Sequence, residues 1–284
     1  MNALRLPNLD IIRENVRAAL AEDIGSGDVT ARLLTSAEWS EATIICRQEA
    51  VISGIEWARE TFTQVDPRIE TQWLIHDSDR LSANTQVARL RGPAASLLTA
   101  ERTALNFLQT LSGTATQARQ LVDLIAGTHV TLLDTRKTIP GLRAAQKYAV
   151  TCGGCENHRH GLYDAILIKE NHITAAGSIT AAIHLARAQS PTIFLIVEVE
   201  TFEELKAALS AKPDRILLDN FTPTALREAV TLTAGRIPLE ASGNIRRDNI
   251  RLFAETGVNY LSMGTLTKDI KAIDLSLRLT NARF

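Results

Sequence analysis

The chain is poor in cysteine and in aromatic residues, and it has no excess of either charge. Its 284 residues include three cysteines, and aromatic residues make up 5%. Three cysteines cannot form a full disulfide framework, which favours a reducing compartment. Lysine plus arginine number 31 against 32 for aspartate plus glutamate, so no whole-chain field attracts nucleic acid or an anionic membrane. Any bound anion must therefore meet a local cluster of cations.

Long apolar runs are also missing from the sequence. No stretch approaches the roughly 20 apolar residues that span a bilayer. The N-terminal stretch MNALRLPNLDIIREN lacks the uninterrupted apolar segment of a secretory signal, so we expect a cytoplasmic protein. With 45% hydrophobic and 22% charged residues, the composition is typical of a soluble globular protein. The length allows one large domain or two moderate ones, and we expect two.

The first part of the chain predicts an α+β unit. Apolar residues at helical spacing indicate helices at residues 9–20 and 55–65. Residues 42–53 and 69–91 are mainly strand-like. After Gly92 and Pro93, leucines at helical spacing predict a long linking helix. Residues 270–284 also look helical, and we expect this tail to pack back on the N-terminal half.

From residue 130 onward, short apolar runs alternate with helical patterns, which predicts a parallel sheet with right-handed crossovers. No G-x-G-x-x-G follows the first strand, so we expect an incomplete α/β barrel of about six to seven parallel strands. We assign it to residues 113–284, and an N-terminal α+β, sandwich-like domain to residues 1–112. The candidate strands are residues 130–133, 165–168, 193–199, 215–218, 237–239 and 258–263. The candidate helices are residues 142–150, 178–188, 202–209, 223–234 and 247–255.

Polar residues follow the ends of these strands. Because strand exits in parallel α/β folds open onto the ligand pocket, we expect these side chains to share one rim. A mixture of cations and carboxylates suits a phosphorylated substrate with a divalent metal. Charges that merely pair with each other are the alternative. The cations are Arg136, Lys137, His158, Arg159 and Lys169, and the other rim residues are Asp134, Glu198, Asp219, Glu240 and Ser242.

Several ordered motifs lie along the chain in one register. They are LAEDIGSGDVTA, ERTALNFLQTLSG, LLDTRKTIPGLRAAQKYAV, GGCENHR, DAILIKENH, VEVE, ILLDNF, LEASGNI and ETGVNYLSMGTLTK. Together they closely resemble the quinolinate phosphoribosyltransferases, and the resemblance covers most of the chain from about residue 98 onward. It supports the same incomplete barrel. The chain departs from the family at Cys155, where glycine is usual.

The resemblance implies an enzyme of NAD synthesis. Such an enzyme transfers the phosphoribosyl group of 5-phosphoribosyl 1-pyrophosphate to quinolinate with decarboxylation, and it yields nicotinate mononucleotide, pyrophosphate and CO2. It implies Mg²⁺ as cofactor, no nucleic-acid or membrane partner, and a homodimer in which Arg102 reaches the neighbouring subunit's pocket. The pyridine nitrogen is itself the nucleophile and needs no general base.

The resemblance also implies roles for particular residues. Lys137, Lys169, Glu198 and Asp219 would be catalytic, and Glu198 and Asp219 would hold Mg²⁺, partly through water. The loops at the last strands would bind the ribose 5-phosphate. The full implied substrate-binding set is Arg102, Thr135, Arg136, Lys137, His158, Arg159, Lys169, Glu198, Asp219, Ser242, Gly243, Asn244, Met263, Gly264 and Thr265.

Four other readings compete with this one. Cys152, Cys155, His158 and His160 form C-x-x-C-x-x-H-x-H, but structural zinc sites usually separate their ligand pairs by a longer loop. Lys169 at a strand end is also the place of a Schiff-base lysine. A non-catalytic relative would be expected to lose part of the cation set. A nicotinate or nicotinamide phosphoribosyltransferase would leave some cations unpaired, which is costly when they are buried.

Overall fold

The computed structural model describes residues 4–34 and 39–279. Contacts divide the chain into two compact units. The first comprises Met1–Arg119, Thr138–Gly154 and Asp269–Phe284, and the second comprises Gln120–Lys137 and Cys155–Lys268. Each unit therefore combines separate stretches of sequence. The domain ranges 1–112 and 113–284 stay a prediction.

The first unit contains an antiparallel sheet with the strand order β12-β1-β5-β3 and a two-stranded sheet formed by β2 and β4. Ile44, Phe62, Leu90 and Leu105 belong to one buried apolar cluster that joins this sheet to its helices. The elements, numbered in chain order, are α1 (Leu9–Ile24), a 3-10 turn (Ala31–Leu33), β1 (Trp39–Cys46), β2 (Ala50–Val51), α2 (Ile55–Val65), β3 (Glu70–Trp73), β4 (Arg80–Leu81), β5 (Thr85–Pro93), α3 (Ala94–Leu124, which continues into the second unit), α4 (Arg143–Cys152) and β12 (Leu275–Leu279).

The C-terminal tail is a strand, and the predicted helix at residues 270–284 is wrong within the described part. β12 pairs antiparallel with β1, so the tail does return to the N-terminal half. Leu275 and Leu277 are buried, and Ser276 and Arg278 between and after them are less so. This period of two is the pattern of a half-buried strand. Residues 280–284 lie outside the described residues.

The second unit contains six parallel strands in the order β6-β11-β10-β9-β8-β7, with no pairing between β6 and β7 among the described residues. The expected incomplete α/β barrel is confirmed. Its elements are β6 (Thr131–Leu133), β7 (Ala165–Ile168), α5 (Glu170–Ala176), α6 (Ile179–Gln189), β8 (Phe194–Val199), α7 (Phe202–Ala211), β9 (Arg215–Asp219), α8 (Pro223–Thr233), β10 (Leu239–Ser242), α9 (Ile250–Ala254), β11 (Tyr260–Ser262) and α10 (Thr265–Lys268).

Local capping explains where the crossover helices begin. The hydroxyl groups of Ser178, Thr201 and Thr222 accept amide hydrogen bonds in the first turns of α6, α7 and α8. At α7, Glu204 returns a bond to the backbone of Thr201, which completes a capping box. Each cap satisfies amides that a helix start would otherwise leave unpaired. These caps therefore fix the residue at which each of the three helices begins.

The strands of the second unit separate apolar from polar side chains. Their register places Glu198, Leu217, Glu240 and Tyr260 in one row across β8 to β11. Side chains alternate between the faces of a strand, so every second residue shares this face. The next row toward the carboxyl ends contains Asp219, Ser242 and Ser262. The opposite face bears buried apolar residues, namely Val197, Val199, Ile216, Leu218, Leu239, Ala241 and Leu261. The polar chemistry of this unit is thus confined to one face.

Candidate active site

An ion pair joins the ends of two neighbouring strands. Lys169 follows the last residue of β7, and its Nζ atom lies 2.9 Å and 2.7 Å from the two carboxylate oxygens of Glu198 on β8. The Lys169 amide donates to Nδ1 of His172 in the first turn of α5. Glu198 is buried, whereas the Lys169 side chain is 43% exposed. The ammonium group can therefore contact an anion from solvent while it keeps its own counter-charge.

Asp219 lies one row closer to the carboxyl ends than Glu198. Burial raises the pKa of Asp219, although the charges of Lys169 and Lys137 act to lower it. Oδ2 of Asp219 accepts a hydrogen bond of 2.7 Å from the side-chain Nδ2 of Asn220. The carboxylates predicted to bind metal are thus on one sheet face, and the charge of Lys169 acts on both.

The loops after β9 and β10 are joined by side-chain amides. Nδ2 of Asn244 donates to Oδ1 of Asn220 over 3.0 Å, and the Asn220 amide nitrogen donates to the carbonyl of Ser242. Asn220, Gly243 and Asn244 all have positive φ angles, of 58°, 89° and 55°. A side chain at position 243 would collide with the Asn220 side chain. Glycine is therefore needed at position 243 for both conformation and space.

Two arginines of the predicted cation set lie close enough to repel each other. Loss of water lowers the pKa of Arg159, and the neighbouring charge of Arg136 lowers it further. Nη1 of Arg159 donates to the carbonyl of Ala165 over 3.1 Å, which ties the guanidinium to the start of β7. The positive charges of the two guanidinium groups therefore repel each other across this unit. A ligand with two carboxylates would relieve that repulsion through paired hydrogen bonds.

Lys137 runs along the loop after β11. Its amide donates to Oγ1 of Thr135, and its carbonyl accepts from Oγ1 of Thr267 over 2.8 Å. A side chain at position 264 would meet the Lys137 stem at 2.8 Å. Gly264 therefore lets the Lys137 side chain pass, and the residue is exposed at its end.

Asp134 is wholly buried and makes its contacts inside the protein, whereas the sequence predicted it on the rim. Its Oδ1 accepts from the backbone amide of His158 at 2.8 Å, and its Oδ2 accepts from the side chain of Asn157 at 2.7 Å. A parallel bridge between Leu133 and Glu156 adds to this attachment. Asp134 therefore holds the segment that carries His158 and Arg159 against β6.

Glu240 also departs from its predicted place on the rim. Its side chain is fully buried, Nη1 of Arg215 lies 3.0 Å from Oε2, and Nε2 of His158 lies 3.4 Å from Oε1. Burial by itself raises the pKa of Glu240, but contacts with His158, Ser262 and Arg215 outweigh it and hold the pKa below its usual range. The physical reason for the misplacement is that Arg215, at the start of β9, draws the carboxylate away from the strand ends.

The other predicted site residues occupy varied positions. Ser242 ends β10, and Thr265 begins α10. Met263 is buried, and its amide extends the pairing of β11 with β6 by donating to the Leu133 carbonyl. Arg102 is an exposed residue of α3 in the first unit. Their assignment to substrate binding stays a prediction.

The cysteines of the C-x-x-C-x-x-H-x-H motif are part of the protein interior. Cys46, Cys152 and Cys155 are buried and are not joined in disulfides, and burial raises the pKa of Cys152 to about 12. Within residues 4–34 and 39–279, no group of three or more His, Cys, Asp or Glu side chains is arranged to hold a metal ion. A search of the same residues finds no helix long and apolar enough to cross a membrane.

Residues 215, 220 and 260 were not singled out from the sequence. Arg215 ends between aromatic rings, 3.9 Å from the centroid of Tyr260 and 5.3 Å from that of Phe194. In RILLDN, the polar residues Arg215 and Asp219 stand four apart and so share a strand face. That spacing could have predicted that Arg215 lies on the same sheet face as Asp219. No sequence signal indicated the amide bond between Asn220 and Asn244.

A parallel barrel sheet whose carboxyl-end face gathers lysines, arginines and carboxylates defines the class of anion-binding barrel enzymes. Comparison with known proteins identifies the family. Its models match residues 114–278 as the quinolinate phosphoribosyl transferase C-terminal domain and residues 28–112 as the N-terminal domain. The chain therefore belongs to the quinolinate phosphoribosyl transferase family, and the resemblance found in the sequence is confirmed.

Relatives match nearly the full length. A probable nicotinate-nucleotide pyrophosphorylase [carboxylating] of Bacillus subtilis is 42% identical over 260 residues, which cover 91% of this chain and 90% of the relative. A quinolinate phosphoribosyltransferase [decarboxylating] 1b of Nicotiana tabacum is 38% identical and covers 93% of this chain and 81% of its own length. The solved nicotinate-nucleotide pyrophosphorylase of Francisella tularensis has a TM-score of 0.95 at 48% identity, with 98% of each chain covered.

Proposed function

We propose that this protein transfers the phosphoribosyl group of 5-phosphoribosyl 1-pyrophosphate to quinolinate, releasing pyrophosphate and CO2 and forming nicotinate mononucleotide. The observation that carries the proposal is the charged cluster at the strand ends, where the 43% exposed Lys169 pairs with Glu198 beside Asp219, and where Arg136 and Arg159 add further cations. Quinolinate has two adjacent carboxylates, which suit two neighbouring guanidinium forks. Family membership supports the same activity.

The chain's own residues would act mainly through electrostatics. Departure of pyrophosphate leaves positive charge on the ribose carbon, which the carboxylates of Glu198 and Asp219 would stabilise. Lys137 and Lys169 would stabilise the negative charge on the leaving group. The pyridine nitrogen attacks without a general base, because it already carries a free electron pair. After the bond forms, the arginines hold the reacting carboxylate in place, and the cationic ring stabilises the electron pair that stays on the ring carbon as CO2 leaves. That carbon then takes a proton from solvent to give nicotinate mononucleotide.

Mg²⁺ fits the donor set on this face. Glu198 and Asp219 are oxygen ligands in adjacent rows, and two carboxylates completed by water and pyrophosphate oxygens are typical of magnesium sites. When bound, Mg²⁺ would neutralise pyrophosphate charge. We propose Ser242, Gly243, Asn244, Met263, Gly264 and Thr265 as the cradle for the ribose 5-phosphate, since the close backbone approaches at Gly243 and Gly264 leave room for a ligand beside the chain.

A homodimer with Arg102 acting across the interface belongs to the same proposal. Its support is the match of ERTALN to the family motif and the exposure of Arg102. Light scattering should show a dimer. Mixing Arg102→Ala chains with Lys169→Ala chains should restore activity that neither variant has alone, because one site of the mixed dimer would be intact. A failure to restore activity would contradict sharing across subunits. We also propose a cytoplasmic location, supported by three cysteines that form no disulfide among the described residues.

The test of the activity is an assay of quinolinate loss. Purified protein should consume quinolinate only with both phosphoribosyl pyrophosphate and Mg²⁺ present, and it should release equimolar CO2. Nicotinate and nicotinamide, tested separately under the same conditions, should be poor substrates. Turnover of either without turnover of quinolinate would replace the proposed substrate. Reaction without Mg²⁺ after exhaustive chelation would remove the metal from the proposal.

A further inference from the structure

The segment after β11 contains a buried hydroxyl group that the proposed reaction does not use. Thr267 lies in the short helix α10 and is fully buried. Its Oγ1 atom donates a hydrogen bond of 2.8 Å to the backbone carbonyl of Lys137, which is 130 residues away in the sequence. The hydroxyl group of Thr267 therefore joins α10 to a lysine of the candidate active site.

The pairing of β11 with β6 brings these two segments together. The two strands are parallel, and Ser262 lies opposite Leu133. The amide of Met263 continues the pairing by donating to the Leu133 carbonyl over 3.0 Å. Parallel strands leave a sheet at the same edge, so the chain that follows β6 and the chain that follows β11 emerge side by side. Lys137 lies in the first of these segments and Thr267 in the second.

Lys137 is attached through its backbone, and its side chain ends at the surface. Its amide donates to Oγ1 of Thr135 over 3.1 Å, and its carbonyl accepts from Thr267. Its aliphatic stem passes Gly264, where an added Cβ would lie 2.8 Å from Cδ of Lys137. Burial raises the pKa of Asp219, and the positive charge of Lys137 is among those that lower it. The ammonium group therefore acts on the sheet face that bears the proposed metal ligands.

The direction of a lysine side chain depends on where its stem begins. The stem is flexible and carries a compact charge at its end, so it can point in many directions. A fixed backbone and a neighbouring wall reduce that choice, and Thr267 and Gly264 supply them here. A displacement of about 1 Å in an active site can lower a rate roughly 100-fold. The hydrogen bond to the Lys137 carbonyl is therefore expected to matter for the reaction as well as for the fold.

We propose that Thr267 is a positioning residue for Lys137, and that its buried hydroxyl group fixes the Lys137 backbone so that the ammonium group meets the departing pyrophosphate. Thr267 acts through Lys137 and does not itself contact the substrate. The inference rests on the proposed function for the identity of the leaving group. The attachment of Lys137 to α10 is independent of that function.

Three variants test the hydroxyl group. Thr267→Val keeps the shape of the side chain and removes the donor, whereas Thr267→Ser keeps the donor and removes a methyl group. The matched control is Thr256→Val in the same unit. Thr256 is also buried, and its Oγ1 atom donates over 2.7 Å to the carbonyl of Phe253 at the end of α9. Each valine variant loses one hydrogen bond from a buried hydroxyl group, so both should melt at a similarly lower temperature.

Only the loss at position 267 should affect turnover. Thr267→Val should lower kcat roughly tenfold, because a displaced ammonium group stabilises the leaving group less well. KM for quinolinate should stay near the parent value, since the arginines proposed for its carboxylates are unchanged. Thr267→Ser should restore most of the parent kcat, and Thr256→Val should keep all of it.

The kinetic outcomes that would overturn the proposal are distinct. Parent kcat in Thr267→Val would show that the hydroxyl group has no part in positioning. An equal loss of kcat in Thr256→Val would attribute the effect to general destabilisation. A serine variant as slow as the valine variant would attribute it to packing of the methyl group.

Hydrogen exchange at the Lys137 amide gives a test that does not depend on activity. Without the bond from Thr267, this amide should exchange roughly tenfold faster in Thr267→Val, because local opening of the segment requires less free energy. Thr267→Ser and Thr256→Val should keep the parent exchange rate. The parent rate in Thr267→Val would overturn the proposal. If the parent protein consumed no quinolinate while exchange responded as expected, the proposed function would fail and the attachment of Lys137 would stand.

Discussion

Glu198 and Glu240 occupy one row of the same sheet face, yet their partners give them different tasks. Glu198 pairs with Lys169, whose side chain is 43% exposed and follows a strand end. Glu240 pairs with Arg215, whose side chain is 14% exposed and begins a strand. The first pair keeps a cation at the protein surface, where an anion can reach it. The second keeps both charges inside.

The difference teaches that residue type and strand position do not by themselves assign a carboxylate to a ligand site. The cation that faces the carboxylate decides whether the pair opens toward the strand ends or toward their starts. A pair with one solvent-exposed partner contributes less to stability than a fully buried pair, since solvent screens the exposed charge. A buried pair is strongly destabilising to break, because the remaining charge is left without compensation. Function and stability should therefore separate cleanly between these two pairs.

The largest expected effect is on turnover at the exposed pair. Lys169→Ala should lower kcat by roughly 10²-fold to 10³-fold, the loss typical of removing one electrostatic stabiliser of developing negative charge. Arg136→Ala should likewise abolish most turnover through lost substrate carboxylate binding. The measurement is steady-state quinolinate consumption. Lys206→Ala on α7, also an exposed lysine of this unit, is the matched control and should keep the parent rate. Parent rates in Lys169→Ala or Arg136→Ala would contradict the site assignment.

The free energy of unfolding should depend more on the buried Arg215–Glu240 pair than on the Lys169–Glu198 pair. Arg215→Met leaves the Glu240 carboxylate buried and uncompensated, and it should cost about 3 kcal/mol of unfolding free energy. Lys169→Met should cost less than Arg215→Met, because the Lys169 side chain is 43% exposed and solvent screens its charge in the parent protein, whereas Arg215 is 14% exposed. Denaturant unfolding followed by circular dichroism measures both. Equal losses in the two variants would remove the distinction between the pairs.

Two glycine variants test the loop that follows β10 on the same sheet face. Gly243→Ala should raise KM for phosphoribosyl pyrophosphate roughly tenfold, since the added methyl group displaces Asn220 and the loop that depends on it. Gly235→Ala is the control, with a similarly positive φ of 72° but no atom within 4 Å of the added carbon. Both variants bear the backbone strain, and only the first has the collision. If the two had the same KM, the loop would not be a phosphate cradle.

The smallest effect is a change in pH dependence. The pKa of Glu240 is held below its usual range, so its ion pairs stabilise the folded state above the ordinary glutamate pKa of about 4 and less as the pH falls below it. The stability gap between the parent protein and Glu240→Gln should therefore be largest near neutral pH and shrink in acid. Urea unfolding of both proteins at several pH values from neutral to acid would measure this difference in unfolding free energy. A gap that stayed constant, or grew in acid, would mean that Glu240 is not ionised in the fold.

Much of the fold and part of the site could be predicted, because local patterns in the sequence specify them. The alternation of strands and helices from residue 130 predicted the parallel sheet, and charged residues after the strands predicted Lys169, Glu198 and Asp219 on one face. The tail was predicted to be helical, but the leucines of LSLRL alternate, which is the pattern of the strand that forms there. The strand predicted at residues 237–239 lies instead at Leu239–Ser242, and that shift places Glu240 and Ser242 inside the strand.

The amino-acid sequence by itself determined the family, the incomplete barrel and the collection of cations that a charged substrate needs, since these follow from ordered motifs and from the period of strands and helices. Only the tertiary structure decided that Glu240 is buried, that Arg215 compensates it and that His158 faces inward. Those outcomes depend on the register between strands distant in sequence. A row of side chains across β8, β9, β10 and β11 exists only when the sheet has formed, so no local pattern could specify it.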